Sequence, residues 1–159
     1  MDARLTCRTA SGAILVLLAA APAWAEGDRR AAAVPLLPRY QTECAACHIA
    51  YPPGMLPPAS WERLMRDLPR HFGTDASLDA AAVGELSQWL TAHAGTYRRV
   101  REEPPQDRIT RSAWFQRKHD EVPASTWKLP AVRSPANCAA CHTTAEQGVF
   151  DEHRVRIPR

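Results

Sequence analysis

Cys44-Ala45-Ala46-Cys47-His48 and Cys138-Ala139-Ala140-Cys141-His142 are one pentapeptide used twice. Two thiols separated by two residues reach the two vinyl groups along one edge of a porphyrin and become thioethers, while the adjacent imidazole turns beneath the ring and binds iron through its outer nitrogen. C-x-x-C-H is therefore the attachment sequence of c-type haem. Its duplication predicts two covalent haem c groups, with His48 and His142 as their proximal iron ligands. One copy alone reads equally as a thiol redox pair; two identical copies do not. A zinc site made from Cys-Cys-His needs a further ligand for each set, and it leaves the other histidine-bearing apolar stretches without a common explanation.

The start of the chain supplies the compartment. Arg4 and Arg8 precede the apolar run from Ala13 to Ala21, and Ala23-Trp24-Ala25 follows. A positive start, a short apolar run and a small-x-small site make a secretory signal peptide over residues 1–25, which predicts export to the periplasm. The run is too short to span a bilayer, and no later segment reaches the roughly 18 apolar residues that spanning requires. Cys7 precedes the run and does not look like a lipid attachment point. Of five cysteines, the four beyond residue 25 all fall in the two motifs, so none is left for a structural disulfide.

Cleavage after Ala25 leaves 134 of the 159 residues, a length that buries only a limited core. Covalently attached porphyrin adds apolar volume that so short a chain can hardly supply. Apolar residues are 45% and charged residues 23% of the chain, which fits a folded globular protein. Proline occurs 14 times in 159 residues, well above the roughly 5% usual in proteins, and predicts short helices with rigid irregular connections. Residues 26–92 carry 6 basic and 8 acidic groups and residues 93–159 carry 12 and 8, so a −2 half precedes a +4 half. That asymmetry suits docking to an acidic partner. The basic groups form no long cluster and the protein is exported, which argues against nucleic acid.

The predicted fold is mostly α, a small cytochrome c-like dihaem protein with extensive loops and two haem-binding lobes. Residues 26–96 form the N-terminal lobe, 97–110 the connecting segment with Pro104-Pro105, and 111–159 the C-terminal lobe. Tyr40 to His48 presents the first motif on a short helix. Trp61, Leu64, Met65 and Leu68 recur at helical spacing, with Pro69 ending or kinking that helix. A third helix begins near Asp79 and stops by Gly95, burying Val83, Leu86, Trp89 and Leu90. Thr110–Val122 is helical with Ser112 as a cap, and Asn137–Glu146 carries the second motif on a helix. No stretch alternates as a strand does.

Each iron needs a sixth ligand. His71 lies 23 residues after His48, enough chain to fold back over the opposite face, and His119 shares a helical side with Phe115. His93 competes for either iron, whereas His153 sits in a charged tail. Methionine raises the potential when it replaces histidine. Met65 belongs to a core stripe and Met55 to the proline loop. Histidine on both faces of both irons is the favoured arrangement.

The chain resembles the periplasmic dihaem cytochromes c that serve as electron donors to an oxygen-binding monohaem cytochrome, of the sphaeroides haem protein type. The resemblance spans residues 36–159 and rests on Glu43 through His48, Tyr51-Pro52-Pro53-Gly54, Ser60-Trp61, His71-Phe72-Gly73, Trp114-Phe115, Lys118-His119, Asn137 through His142, and Arg156-Ile157-Pro158-Arg159. It implies electron transfer by two low-spin haems, with His71 and His119 as distal ligands. It also implies a small soluble oxygen-binding monohaem cytochrome as acceptor, and a membrane cytochrome b is a candidate donor. Six-coordinate iron disfavours direct oxygen or peroxide chemistry. The competing functions are a dihaem peroxidase and an electron-transfer subunit of a membrane-attached reductase complex.

Overall fold

The computed structural model describes residues 34–97, 100 and 102–159; the leader read over residues 1–25 and the stretch 26–33 lie outside them. Four α-helices carry the fold: α1 (Pro38–Cys44), α2 (Pro58–Arg66), α3 (Ala80–His93) and α4 (Ala113–Lys118), joined by loops and single 3₁₀ turns. Proline occupies the first turn of both α1 and α2, where its missing N–H costs nothing and its fixed φ favours helix entry. The α3 N-terminus is closed by Asp79, which accepts from the Ala82 amide at 2.8 Å. Ser112 does the same for α4, accepting from the Phe115 amide at 3.2 Å.

The core lies in the first half. Leu86 and Leu90 of α3, both fully buried, pack with Trp61 and Met65 of α2, Tyr40 of α1 and the loop residue Leu56. Trp61 also satisfies its indole N–H, donating to the Pro53 carbonyl at 2.7 Å. Arg39 clips α1 to α3 through Asp79 and Glu85. Residues 102–109, within the stretch read as a connection, lie against α2: Arg63 pairs with Glu103 and Asp107 at 2.6 Å each, and Ile109 packs on the core.

Four local expectations change. α1 ends at Cys44, so residues 45–48 of the first motif lie beyond the helix. The helix read over 110–122 is shorter, because Ser112 caps α4 only after a separate 3₁₀ turn, Ile109–Arg111, and α4 ends at Lys118. α2 ends at Arg66, and Pro69 falls inside a separate 3₁₀ turn, Leu68–Arg70, which delivers His71. Asn137–Glu146 is not an α-helix. It forms two isolated turns, Cys138–Ala140 and Ala145–Gln147. Pro135 precedes it, the β-branched pair Thr143-Thr144 interrupts it, and only Ala145 within it is buried, so no apolar stripe draws it into a helix. Strand structure among the described residues is confined to the isolated bridges His71 with Thr74 and His142 with Val155. No helix among them is long and apolar enough to cross a membrane.

Gly54 lies where the loop meets residues 96 and 97. A Cβ there would fall 2.8 Å from Tyr97 Cδ1 and closer still to Thr96 Oγ1. Gly54→Ala is expected to cost about 1–3 kcal/mol by overpacking, and Leu86→Ala about 2–5 kcal/mol by cavity formation. Urea unfolding should show both as lower midpoints with an unchanged slope; midpoints equal to the parent's would refute this packing.

Candidate haem sites

α1 ends at Cys44, so the first motif leaves the helix on a turn, with Cys44 half-buried against the core and Cys47 exposed. His48 then projects from the loop and fixes its ring through Nδ1 to the Ile49 carbonyl at 2.7 Å. Facing it is His71, delivered by the turn after α2, with ring centroids 6.2 Å apart and planes inclined at 31°. In the second half His119 follows the last residue of α4, its Nδ1 2.8 Å from the Phe115 carbonyl and its ring stacked on Phe115 at 4.0 Å. It faces His142, with centroids 6.1 Å apart and planes at 70°.

Both spacings have a physical meaning. Metal–imidazole nitrogen bonds are about 2.0–2.1 Å, so two imidazoles on opposite sides of one metal place their ring centres about 6 Å apart. Direct stacking, as between His119 and Phe115, brings rings far closer. The structure thus brings His48 to His71 and His119 to His142, and leaves the other candidates elsewhere. His93 caps its own helix, with Nδ1 2.8 Å from the Trp89 carbonyl, and among the described residues no second histidine ring lies against it. Met55 and Met65 are core residues, and His153 is exposed in the tail.

The surroundings fit a haem group better than the competing chemistries. His71 Nδ1, His142 Nδ1 and Trp114 Nε1 are buried without a hydrogen-bond partner. Two of these atoms are the inner nitrogens of one ring in each histidine pair, and the third neighbours Phe115, so unpartnered polar atoms lie beside both pairs. Beside His71 opens a groove of about 510 Å³ lined by Leu64, Phe72, Arg63, Arg66, Arg70 and the carboxylates Asp67 and Asp107. Arg70 is paired with Asp67 and Arg63 with Asp107, so Leu64 and Phe72 offer an apolar wall and Arg66 a guanidinium to a porphyrin with carboxylate side chains. Burial pushes the Cys44 and Cys138 thiols up to about 11, the opposite of a reactive exchange pair. Among the described residues no three His, Cys, Asp or Glu side chains converge on a metal position.

The second motif is held by its neighbours. Asn137 donates to the Val132 carbonyl at 3.1 Å, and the chain terminus folds back so that the Arg156 amide reaches the Cys141 carbonyl at 2.9 Å. Phe150 sets its ring edge-on to His142 at 5.4 Å. The sequence gives no role to Phe150, to the Val155 bridge or to Tyr51, whose ring stacks on His48 at 4.8 Å. An aromatic three residues beyond the motif histidine was the only available signal for Tyr51. Burial first, then the nearby Cys138 thiol, pushes its phenol above the ordinary range and keeps it a donor.

A family model described as dihaem cytochrome c matches residues 40–150. The chain is similar to a solved diheme cytochrome c from Rhodobacter sphaeroides, at 46% identity over 75% of this chain and 100% of that one, with a TM-score of 0.66. A diheme cytochrome type c from Shewanella baltica OS155 is 38% identical over 79% of this chain and 95% of its own, with a TM-score of 0.68. No curated protein sequence matches significantly.

Burial lowers the pKa of His71 from 6.5, helped by His48 and Arg108, and burial with His119 lowers that of His142. Both rings are thereby held neutral with a lone pair free, the state that metal ligation requires. The unfolded chain takes up protons near pH 6.5 that the folded sites refuse until lower pH, so stability present above that value is lost as pH falls. In the chain before haem is attached, where both rings are free, the urea midpoint should drop between about pH 7.5 and about pH 5.5, and His71→Gln should lose part of that dependence. A flat profile would contradict the buried, neutral placement.

Proposed function

Since the chain belongs to the dihaem cytochrome c family, we propose that it is a periplasmic electron carrier whose two irons are each closed by a histidine pair. The pairs are His48 with His71 and His119 with His142. Two covalently bound haem c groups and electron transfer come with family membership. The observation that carries the finer reading is the pair of ring spacings, 6.2 and 6.1 Å. In this reading Cys44, Cys47, Cys138 and Cys141 hold the groups by thioethers, residues 26–96 and 111–159 act as two lobes around them, and residues 1–25 direct export.

When bound, the haems supply a one-electron ferric–ferrous couple. The chain's own residues determine what that couple is used for. In this reading His71 and His119 occupy the positions that oxygen or peroxide would need, and the His119 ring is pinned through Nδ1 to the Phe115 carbonyl. Tyr51 and Phe115 lie flat against one histidine of each pair and limit its swing. Arg66 places a guanidinium along the groove beside His71, where Arg70 is paired with Asp67. A dihaem peroxidase would require one pair to open during turnover. The favoured acceptor is a small oxygen-binding monohaem cytochrome, docked against the basic C-terminal half, and a membrane cytochrome b is the corresponding donor class.

Coordination is tested by His119→Ala. Both haems should remain covalently attached, while one iron becomes high-spin and binds carbon monoxide. Binding by both irons, or by neither, would refute the pairing. Electron paramagnetic resonance of the oxidised parent adds a second check. Planes at 31° should give an ordinary rhombic low-spin signal, and planes at 70° a more strongly anisotropic one. A single superimposed signal would rule out the unequal pairs.

Transfer is tested by stopped-flow mixing of the reduced protein with an oxidised monohaem cytochrome of the oxygen-binding class. Oxidation should depend on partner concentration and slow as salt rises from about 0.01 M to about 0.15 M, as electrostatic steering requires. Saturable peroxide turnover by this protein alone would favour the enzyme reading.

A further inference from the structure

Two contacts of Tyr51 point in different directions. Its ring lies against His48, centroids 4.8 Å apart and planes 30° from parallel. Its hydroxyl donates to the Ala136 carbonyl at 2.6 Å, a bond spanning 85 residues. That carbonyl also accepts the Cys138 amide at 3.0 Å. The phenol is therefore one shared acceptor away from the first cysteine of the second motif, while its ring touches the histidine of the first.

Tyr51 is itself firmly seated. Its carbonyl accepts the hydroxyl of Tyr40 at 2.8 Å, and Tyr40 is a core residue in α1 that packs on Trp89 of α3. Pro52 and Pro53, both buried, follow it and remove backbone freedom. A continuous line of contacts thus runs from the α1–α3 core through Tyr40 and Tyr51 to Ala136 and Cys138. The acceptor end is also constrained, because Asn137 is tied to Val132 and Ala136 to Ser134. A phenylalanine would supply the same ring face to His48; only the hydroxyl accounts for the long-range bond.

We propose that Tyr51 is a positioning residue that fixes the two haem attachment motifs relative to each other, its ring steadying His48 and its hydroxyl holding the backbone that leads into Cys138. The proposal rests on reading the two histidine pairs as haem sites, and it adds that their separation is set by one side chain. Electron exchange between the haems depends steeply on that separation, so loosening the link disturbs the internal step before it disturbs either site.

The test uses the haem-loaded protein and the variants Tyr51→Phe and Tyr51→Leu, fully oxidised for resonance and one-electron reduced for internal exchange. Pulsed electron paramagnetic resonance on the parent should give a single narrow iron–iron distance. Tyr51→Phe keeps the ring and loses the bond, so the distance distribution should widen and internal electron exchange should slow several-fold, with both low-spin signals unmoved. Tyr51→Leu should in addition shift the signal of the haem at His48 and leave that of the haem at His142 in place. A distance distribution and exchange rate equal to the parent's in Tyr51→Phe would overturn the proposal, whatever becomes of the signals. Should Tyr51→Leu fail to accumulate, Tyr51→Phe decides alone. A parent without two low-spin signals would overturn the histidine-pair reading and this proposal with it, and that failure is visible before any variant is made.

Discussion

Two imidazoles held with their centres about 6 Å apart do not bond to each other, and the fold has to keep them from closing that gap or drifting wider. It does so the same way at both sites. One ring of each pair is tied at once to main chain, His48 to the Ile49 carbonyl and His119 to the Phe115 carbonyl. The other, His71 or His142, comes from a short irregular segment stiffened by an isolated bridge and keeps a buried nitrogen without a partner. The ring separations of 6.2 and 6.1 Å leave room within each pair for one metal atom.

What supports the two pairs differs. The first is mounted on packed helices: α1 delivers Cys44, the end of α2 leads to His71, and α3 fills the space behind both. The second stands on turns. Its half of the chain buries few large apolar side chains, chiefly Phe115 and Val132, and relies on side-chain to main-chain bonds and on the returning terminus. The shortage of core expected from the chain's length is thus concentrated in one half. There an attached porphyrin would add apolar surface for burial.

Legibility followed the same division. Where an apolar period coincided with a cap or a proline, as with Asp79 before α3 and Pro58 at α2, sequence and structure agree on the element; at α4 they agree on the Ser112 cap but not on the length, since the helix stops at Lys118. Around the second motif no apolar period backs the helix expected over 137–146; the turns found there are set by Pro135, by the bond from the Cys138 amide to Ala136, and by a tail more than a dozen residues away. The histidines to watch were visible as spare ligands of suitable reach. Which ring faced which required three dimensions, since His71 and His93 are both within reach of the first motif along the chain. Tyr51 escaped notice as a link because nothing local marks a hydroxyl whose acceptor lies in the other half of the sequence.

The angle between the imidazole planes, 31° at one site and 70° at the other, has a consequence for the protein as a store of charge. Identical pentapeptides end in unlike surroundings: one lies at a helix end beside a groove of arginines, the other among turns under the terminus. If both pairs close on haem iron as proposed, two wells so differently built would differ in depth. A molecule carrying one electron instead of two would then have an internal polarity, with a preferred residence and a less preferred one, although its sequence repeat is symmetric.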